Sequence, residues 1–128
     1  MENETIVSLN IYNCQKDINE ILNIKSSTIH KKDELISKKG IIKYKYDVWT
    51  YQLSSDNIID VELLLNNIIS IFQGSKDELK NLSQEHDIEI SIVSYMRQGV
   101  PSFHFSKEFI KFIHEIDCEV DLDLYCME

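Results

Sequence analysis

The residues best placed to do chemistry are three carboxylates near the end of the chain, Glu119, Asp121 and Asp123, which alternate with Val120, Leu122 and Leu124. Acids on one strand face are the raw material of a divalent-cation site or of an acid and base pair. Strand geometry argues against one shared ion. Same-face neighbours stand about 6.5 to 7 Å apart, whereas each oxygen must come within about 2.0 to 2.6 Å of the cation. The stripe is therefore expected to be a solvated outer face or a protein-binding face, with Tyr125 following on the same side.

Other reactive residue types do not assemble into a recognisable pattern. Histidines 30, 86, 104 and 114 are scattered, with no His-Glu-x-x-His and no cysteine-paired spacing that would hold zinc. His86 is expected at a helix end, and His104, between Phe103 and Phe105, on the side of a strand away from those rings, towards Glu108. Cys14, Cys118 and Cys126 are odd in number and form no Cys-x-x-Cys pair, which suggests reduced thiols in a cytosol. Cys14 has no neighbouring feature that would activate it as a nucleophile, and no serine lies in Gly-x-Ser-x-Gly. With three glycines and one proline there is no phosphate-cradling Gly-x-Gly-x-x-Gly or Gly-x-x-x-x-Gly-Lys. No catalytic residue, metal site or cofactor is expected.

The elements that must position these residues can be read from periodicity. Val7, Leu9 and Ile11 alternate with Ser8, Asn10 and Tyr12, giving a first strand over 5–13 with one buried face. Asp17 stands three residues before Glu20 and caps a short helix bearing Ile18, Ile21 and Leu22. Residues 25–40 read as a long loop, helical near 33–38. A strand over 43–53 places Trp49, Tyr51 and Leu53 on one face and Tyr44, Tyr46, Val48 and Thr50 on the other, with cover expected on both. Asp60 caps the main core helix, on which Val61, Leu64, Leu65, Ile68 and Phe72 recur at helical spacing, and Gly74 is expected to end it in a left-handed conformation. A second capping box, Ser75-x-x-Glu78, restarts the helix towards Leu79 and Leu82.

Ile88, Ile90 and Ile92 mark a strand to about Arg97, followed by a turn at Gln98-Gly99-Val100-Pro101 and a short returning strand at Phe103 to Phe105. Ser106 caps a helix whose Phe109, Phe112, Ile113 and Ile116 share one face. A closing strand turns Cys118, Val120, Leu122 and Leu124 inward and Glu119, Asp121, Asp123 and Tyr125 outward. The order β-α-β-α-β-β-α-β predicts an α+β two-layer sandwich, a mixed and largely antiparallel sheet of about five strands with helices on one face.

Bulk properties bound the partners. A chain of 128 residues is expected to form a single domain over 1–128, with one hydrophobic core. No apolar run approaches the roughly 18 to 20 residues of a membrane span, and Met1-Glu2-Asn3-Glu4 lacks a secretory pattern, so a soluble cytoplasmic protein is expected. The net charge of −9 opposes nucleic-acid binding. That charge is uneven. Seven lysines face two acids between Lys25 and Lys45, whereas seven acids face one lysine from Glu108 to Glu128. An acidic end of this kind suits a basic partner.

An opening strand, a short helix, a loop ending in Lys39-Gly40, a strand bearing Trp49-x-Tyr51, a long amphipathic helix and a closing Leu122-Asp123-Leu124-Tyr125 resemble the bacterial family numbered four-two-seven-nine among the domains of unknown function. The resemblance covers nearly the whole chain. It implies a small bacterial α+β domain of unassigned chemistry and carries no functional residues with it.

The expectation from these observations is a non-enzymatic, protein-binding domain of the immunity-protein type, which neutralises a basic bacterial toxin through an acidic face. Glu119, Asp121 and Asp123 supply rim charge, and Tyr125, Tyr44 and Tyr46 anchor the contact. One alternative is a small-ligand or enzymatic pocket lined by Trp49, Tyr51 and His104 and gated by the basic loop of Lys31 to Lys43. Another is self-association through the edge at Phe103 to Phe105.

Overall fold

The computed structural model describes residues 3–32, 47–56, 60–97, 99 and 102–127. Strand β1 (Glu4–Tyr12) leads into helix α1 (Ile18–Leu22), where the Asp17 carboxylate accepts the Glu20 amide as the sequence predicts. The helix closes on Asn23 at φ +54°, a left-handed position that asparagine tolerates. Strand β2 (Thr28–His30) lies inside the stretch read as loop, and its three residues are too few to show periodicity. The expected helical turn near 33–38 and the first part of the predicted 43–53 strand fall outside the described residues. Strand β3 (Val48–Asp56) continues beyond the predicted end.

Helix α2 (Val61–Phe72) begins at Asp60, whose side chain accepts the Leu63 amide at 3.1 Å. It does not end on a left-handed glycine. The chain passes through a 3-10 turn at Gln73–Ser75 straight into helix α3 (Lys76–Ser83), and Gly74 stays out of the positive-φ region. Nor does Ser75 cap α3: its hydroxyl donates instead to the carbonyl of Leu22 at 3.0 Å, joining the end of α1 to the start of α3. Both departures have one cause. Leu79 and Phe72, each fully buried, must sit in the same core, and a tight turn keeps the two helices on one side of the sheet.

Strand β4 (Ile88–Met96) matches its alternation, with Ile88, Ile90, Ile92 and Ser94 buried and the residues between them half-buried. Gly99 then adopts φ +77° in the predicted turn. No returning strand forms at Phe103 to Phe105. Phe103 packs half-buried against the core, and Phe105 stacks on Phe109 with ring centroids 5.7 Å apart. These aromatics serve the rise from the sheet to the helical layer, so they cannot also pair as strand. Helix α4 (Lys107–Glu115) is capped by Ser106, which accepts the Phe109 amide at 3.1 Å, and strand β5 (Glu119–Cys126) ends the fold.

The sheet order is β2-β3-β1-β4-β5. β1 is central and antiparallel to both β3 and β4, β2 is antiparallel to β3, and β5 runs parallel to β4. A parallel neighbour requires a crossover, and α4 supplies it. The architecture is therefore α+β with a mixed, mostly antiparallel five-stranded sheet. Val7, Leu9 and Ile11 of β1, Trp49 of β3 and Ile88, Ile90 and Ile92 of β4 all project to one face, where they meet Leu65, Ile68 and Phe72 of α2 and Phe109 and Phe112 of α4. Burying each such side chain contributes about 1.5–3 kcal/mol. On this face Thr5 and Ser94, both fully buried, share a hydroxyl hydrogen bond of 2.6 Å across β1 and β4.

Candidate functional site

The opposite sheet face is polar. Ser8 and Asn10 of β1 and Thr50 of β3 form its centre: Thr50 Oγ1 donates to Asn10 Oδ1 at 2.8 Å, and Asn10 Nδ2 donates to Ser8 Oγ at 3.3 Å. Towards β5 the surface becomes acidic. The Tyr12 hydroxyl donates to Glu89 Oε1 at 3.1 Å, and Glu89 stands opposite Glu119 in the β4–β5 ladder. Tyr12, Asn13, Asp87, Ile88, Glu89 and Glu119 line a cavity of about 350 Å³. Burial holds the Tyr12 phenol well above its ordinary range, and the charges of Glu89 and Asp121, with the hydrogen bond to Glu89, push it further. A phenol so placed stays protonated and donates; it is unsuited to act as a base near neutral pH.

Next to this cavity the predicted face is assembled on β5. Glu119, Asp121 and Asp123 are all exposed and take successive same-face positions beside Glu89, Ser91 and Val93. Tyr125, 48% exposed, stacks on Tyr95 of β4 with ring centroids 5.3 Å apart and an interplanar angle of 18°. The charge of Asp121 raises the Asp123 carboxyl above its usual range. Partial desolvation adds to this, as does a hydrogen bond that only protonated Asp123 can donate to Asp121. Tyr44 and Tyr46, the other expected anchors, lie outside the described residues.

One expectation about β5 requires correction. Val120, Leu122 and Leu124 do turn to the face opposite the acids, but they are 37%, 39% and 45% exposed, and Cys118 before them is half-buried. β5 is the last strand of the sheet, and the helical layer is centred on β1, β3 and β4. The strand therefore presents acids on one face, aliphatics on the other, and side chains that are exposed along its whole length.

The residues of the alternative pocket are differently employed. Trp49 is 3% exposed, meets Phe72 edge-on at 6.3 Å, and donates its indole N–H to Asn19 Oδ1 at 2.9 Å. Tyr51 also packs edge-on against Phe72, at 5.5 Å. His104 is exposed ahead of α4. Trp49 does line a second cavity of about 260 Å³, with Cys14, Lys16, Lys31 and Asp47. The Asp47 carboxylate there accepts the Lys32 amide at 2.6 Å and the Gln15 side-chain amide, and both bonds hold it below its usual range. His86 lies beyond the end of α3, and its buried Nε2 has no hydrogen-bond partner among the described residues.

Among the described residues no three His, Cys, Asp or Glu side chains converge on a point suited to a metal ion, and no helix is long and apolar enough to cross a membrane. A family model for a domain of unknown function, DUF4279, matches residues 3–127. The chain belongs to that family. No curated protein and no solved structure matches this DUF4279 chain, so its candidate surface rests on its own geometry. Tyr12 and Glu89, which join the acidic face of this DUF4279 domain, are 77 positions apart and were missed in the sequence. The available signal was parity alone: both occupy the polar phase of their strands.

Proposed function

We propose that this chain is a non-enzymatic protein-binding domain, an immunity-type inhibitor in the bacterial cytoplasm that neutralises a basic toxin by covering it with the β5 face. The observation that carries this is the acidic run from Asp87 and Glu89 through Glu119, Asp121 and Asp123 at the β5 end of the polar sheet face, where the three β5 acids are exposed, ending where exposed Tyr125 stacks on half-buried Tyr95. Charge of one sign on a surface steers an oppositely charged partner and raises its association rate, while an aromatic pair supplies contact area with little side-chain entropy to lose. The net charge of −9 extends the same attraction beyond the contact itself.

The test is retention of a partner by the tagged protein from its native lysate at low and moderate salt, repeated with Glu119→Lys, Asp121→Lys and Asp123→Lys combined. A basic, stoichiometric, salt-sensitive partner whose affinity falls at least about tenfold on charge reversal supports the proposal. Unchanged affinity and unchanged salt dependence remove it. A second function has one observation in its favour: Lys16 and Lys31 line the cavity beside Trp49, where their ammonium groups would have to hold a small anion against the carboxylates of Asp17 and Asp47, which line it too. A rise in melting temperature with an anionic metabolite, lost in Lys31→Ala, would support that alternative.

A further inference from the structure

The backbone of β5 offers something its side chains do not. Among the described residues β5 pairs with β4 alone, which leaves its outer row of N–H and C=O groups facing away from the sheet. Eight residues at about 3.3 Å each give an open edge of about 26 Å. The other edge strand, β2, has three residues and offers little to pair with. Sheet edges are commonly blunted by lysine, proline or a bulge, and β5 contains neither lysine nor proline, while its register with β4 runs unbroken from Glu119 to Cys126.

A second copy of the chain is a poor match for that edge. Antiparallel pairing of two β5 strands about Leu122 sets Asp121 of each against Asp123 of the other; pairing about Asp121 or Asp123 sets that residue against itself. Shifting by half a step sets Asp123 opposite Leu122. Like charges directly opposite destabilise a pair, and Asp123 already carries the repulsion of Asp121. The strand best complementary to β5 places cations opposite Glu119, Asp121 and Asp123, and aliphatic side chains opposite Val120, Leu122 and Leu124.

We infer that β5 is a docking edge for strand addition, accepting from a partner protein an extended segment in which Lys or Arg alternates with apolar residues. This rests on the proposed acidic face and specifies how it is used. Main-chain hydrogen bonds supply affinity, and the two alternating rows supply selection. The added strand neutralises the exposed acids on one face of β5 and covers the exposed aliphatics on the other. Its acids make the same edge repellent to its own copies.

The test uses the full chain with synthetic peptides of eight residues alternating lysine with valine, a scrambled isomer of the same composition, and two isomers N-methylated at alternate residues, one for each phase. Binding is followed by amide resonances and by hydrogen exchange of β5. The expected result is that the alternating peptide binds, slows exchange of alternate β5 amides between 119 and 126, and is weakened about tenfold or more by one phase of N-methylation and by scrambling. Equal binding of all four peptides without exchange protection would overturn strand addition yet leave an acidic face that attracts cations. No binding by any of them would also overturn it, with the acidic face still decided by charge reversal against the retained partner. A concentration-dependent dimer with protected β5 amides in the absence of peptide would give the edge to a second copy and overturn it too.

Discussion

Asn19 Oδ1 accepts the indole N–H of Trp49 at 2.9 Å and the backbone N–H of Ser26 at 3.0 Å, so one side-chain oxygen joins α1, the segment leading to β2, and β3. Both donors lose their partner if that oxygen is removed, and the indole sits in a residue only 3% exposed. Asn19→Ala is expected to destabilise the fold by about 1–3 kcal/mol, the cost of orphaning a buried donor. Urea denaturation measures it. In the Trp49→Phe background the same substitution should cost less, because the principal donor is already gone.

The repulsion between Asp121 and Asp123 has a pH signature. A carboxyl whose folded pKa lies above its unfolded value stabilises the fold most when protonated, and that contribution fades as pH rises through the folded pKa. Asp121→Asn removes the largest cause and should bring the Asp123 titration back towards the ordinary aspartate range. Carboxyl-carbon NMR titration reads this directly; an unmoved midpoint would show that Asp121 is not responsible.

Lys76 Nζ and Glu115 Oε2, 2.7 Å apart, tie the start of α3 to the end of α4. The hydrogen bond from Lys76 holds the Glu115 carboxyl below its usual range, with the charges of Lys76, Lys111 and His114 acting in the same direction. A depressed carboxylate contributes stability above its unfolded pKa and loses it as pH falls through the folded value. Acid titration of stability should therefore be shallower in Glu115→Gln than in the parent below the unfolded glutamate value, with little difference in slope at neutral pH.

The three thiols should label at separate rates. Cys126 is exposed, Cys14 is buried, and burial pushes the Cys118 thiol up to about 12 despite its half-buried position. Since the thiolate is the nucleophile, a maleimide at pH 8 should modify Cys126 first, leaving Cys14 and Cys118 to follow local opening. Peptide mass mapping at short times checks this; early modification of Cys118 would contradict it.

What could be read in advance was local. Asp17, Asp60 and Ser106 each cap a helix through the amide three residues on, because a short side chain and its own backbone settle that contact. Alternation likewise fixed the phase of β1 and β4. Ser75 shows where this fails: the same motif appears, but Leu22, 53 positions earlier, supplies a competing acceptor. Phe103 and Phe105 have the spacing of a strand and are claimed by the helical layer. The acidic stripe was legible as a stripe. Its cavity with Tyr12 and Glu89 was not, since that depends on which strands are neighbours. Alternation in β5 told which residues share a face, and could not tell that the aliphatic one is left partly exposed.

That last feature bears on how such a domain diversifies. All eight side chains of β5 are exposed, whereas the core is assembled from β1, β3, β4 and the helices. Substitutions along β5 that keep its backbone paired with β4 therefore leave the packed interior untouched and fall in the range of surface changes, usually within about 0.5 kcal/mol. The strand can exchange one pattern of charge and shape for another while the rest of the molecule stays as it is. Partner choice and foldability are thus carried by different residues, and a change of partner need not pass through an unstable intermediate.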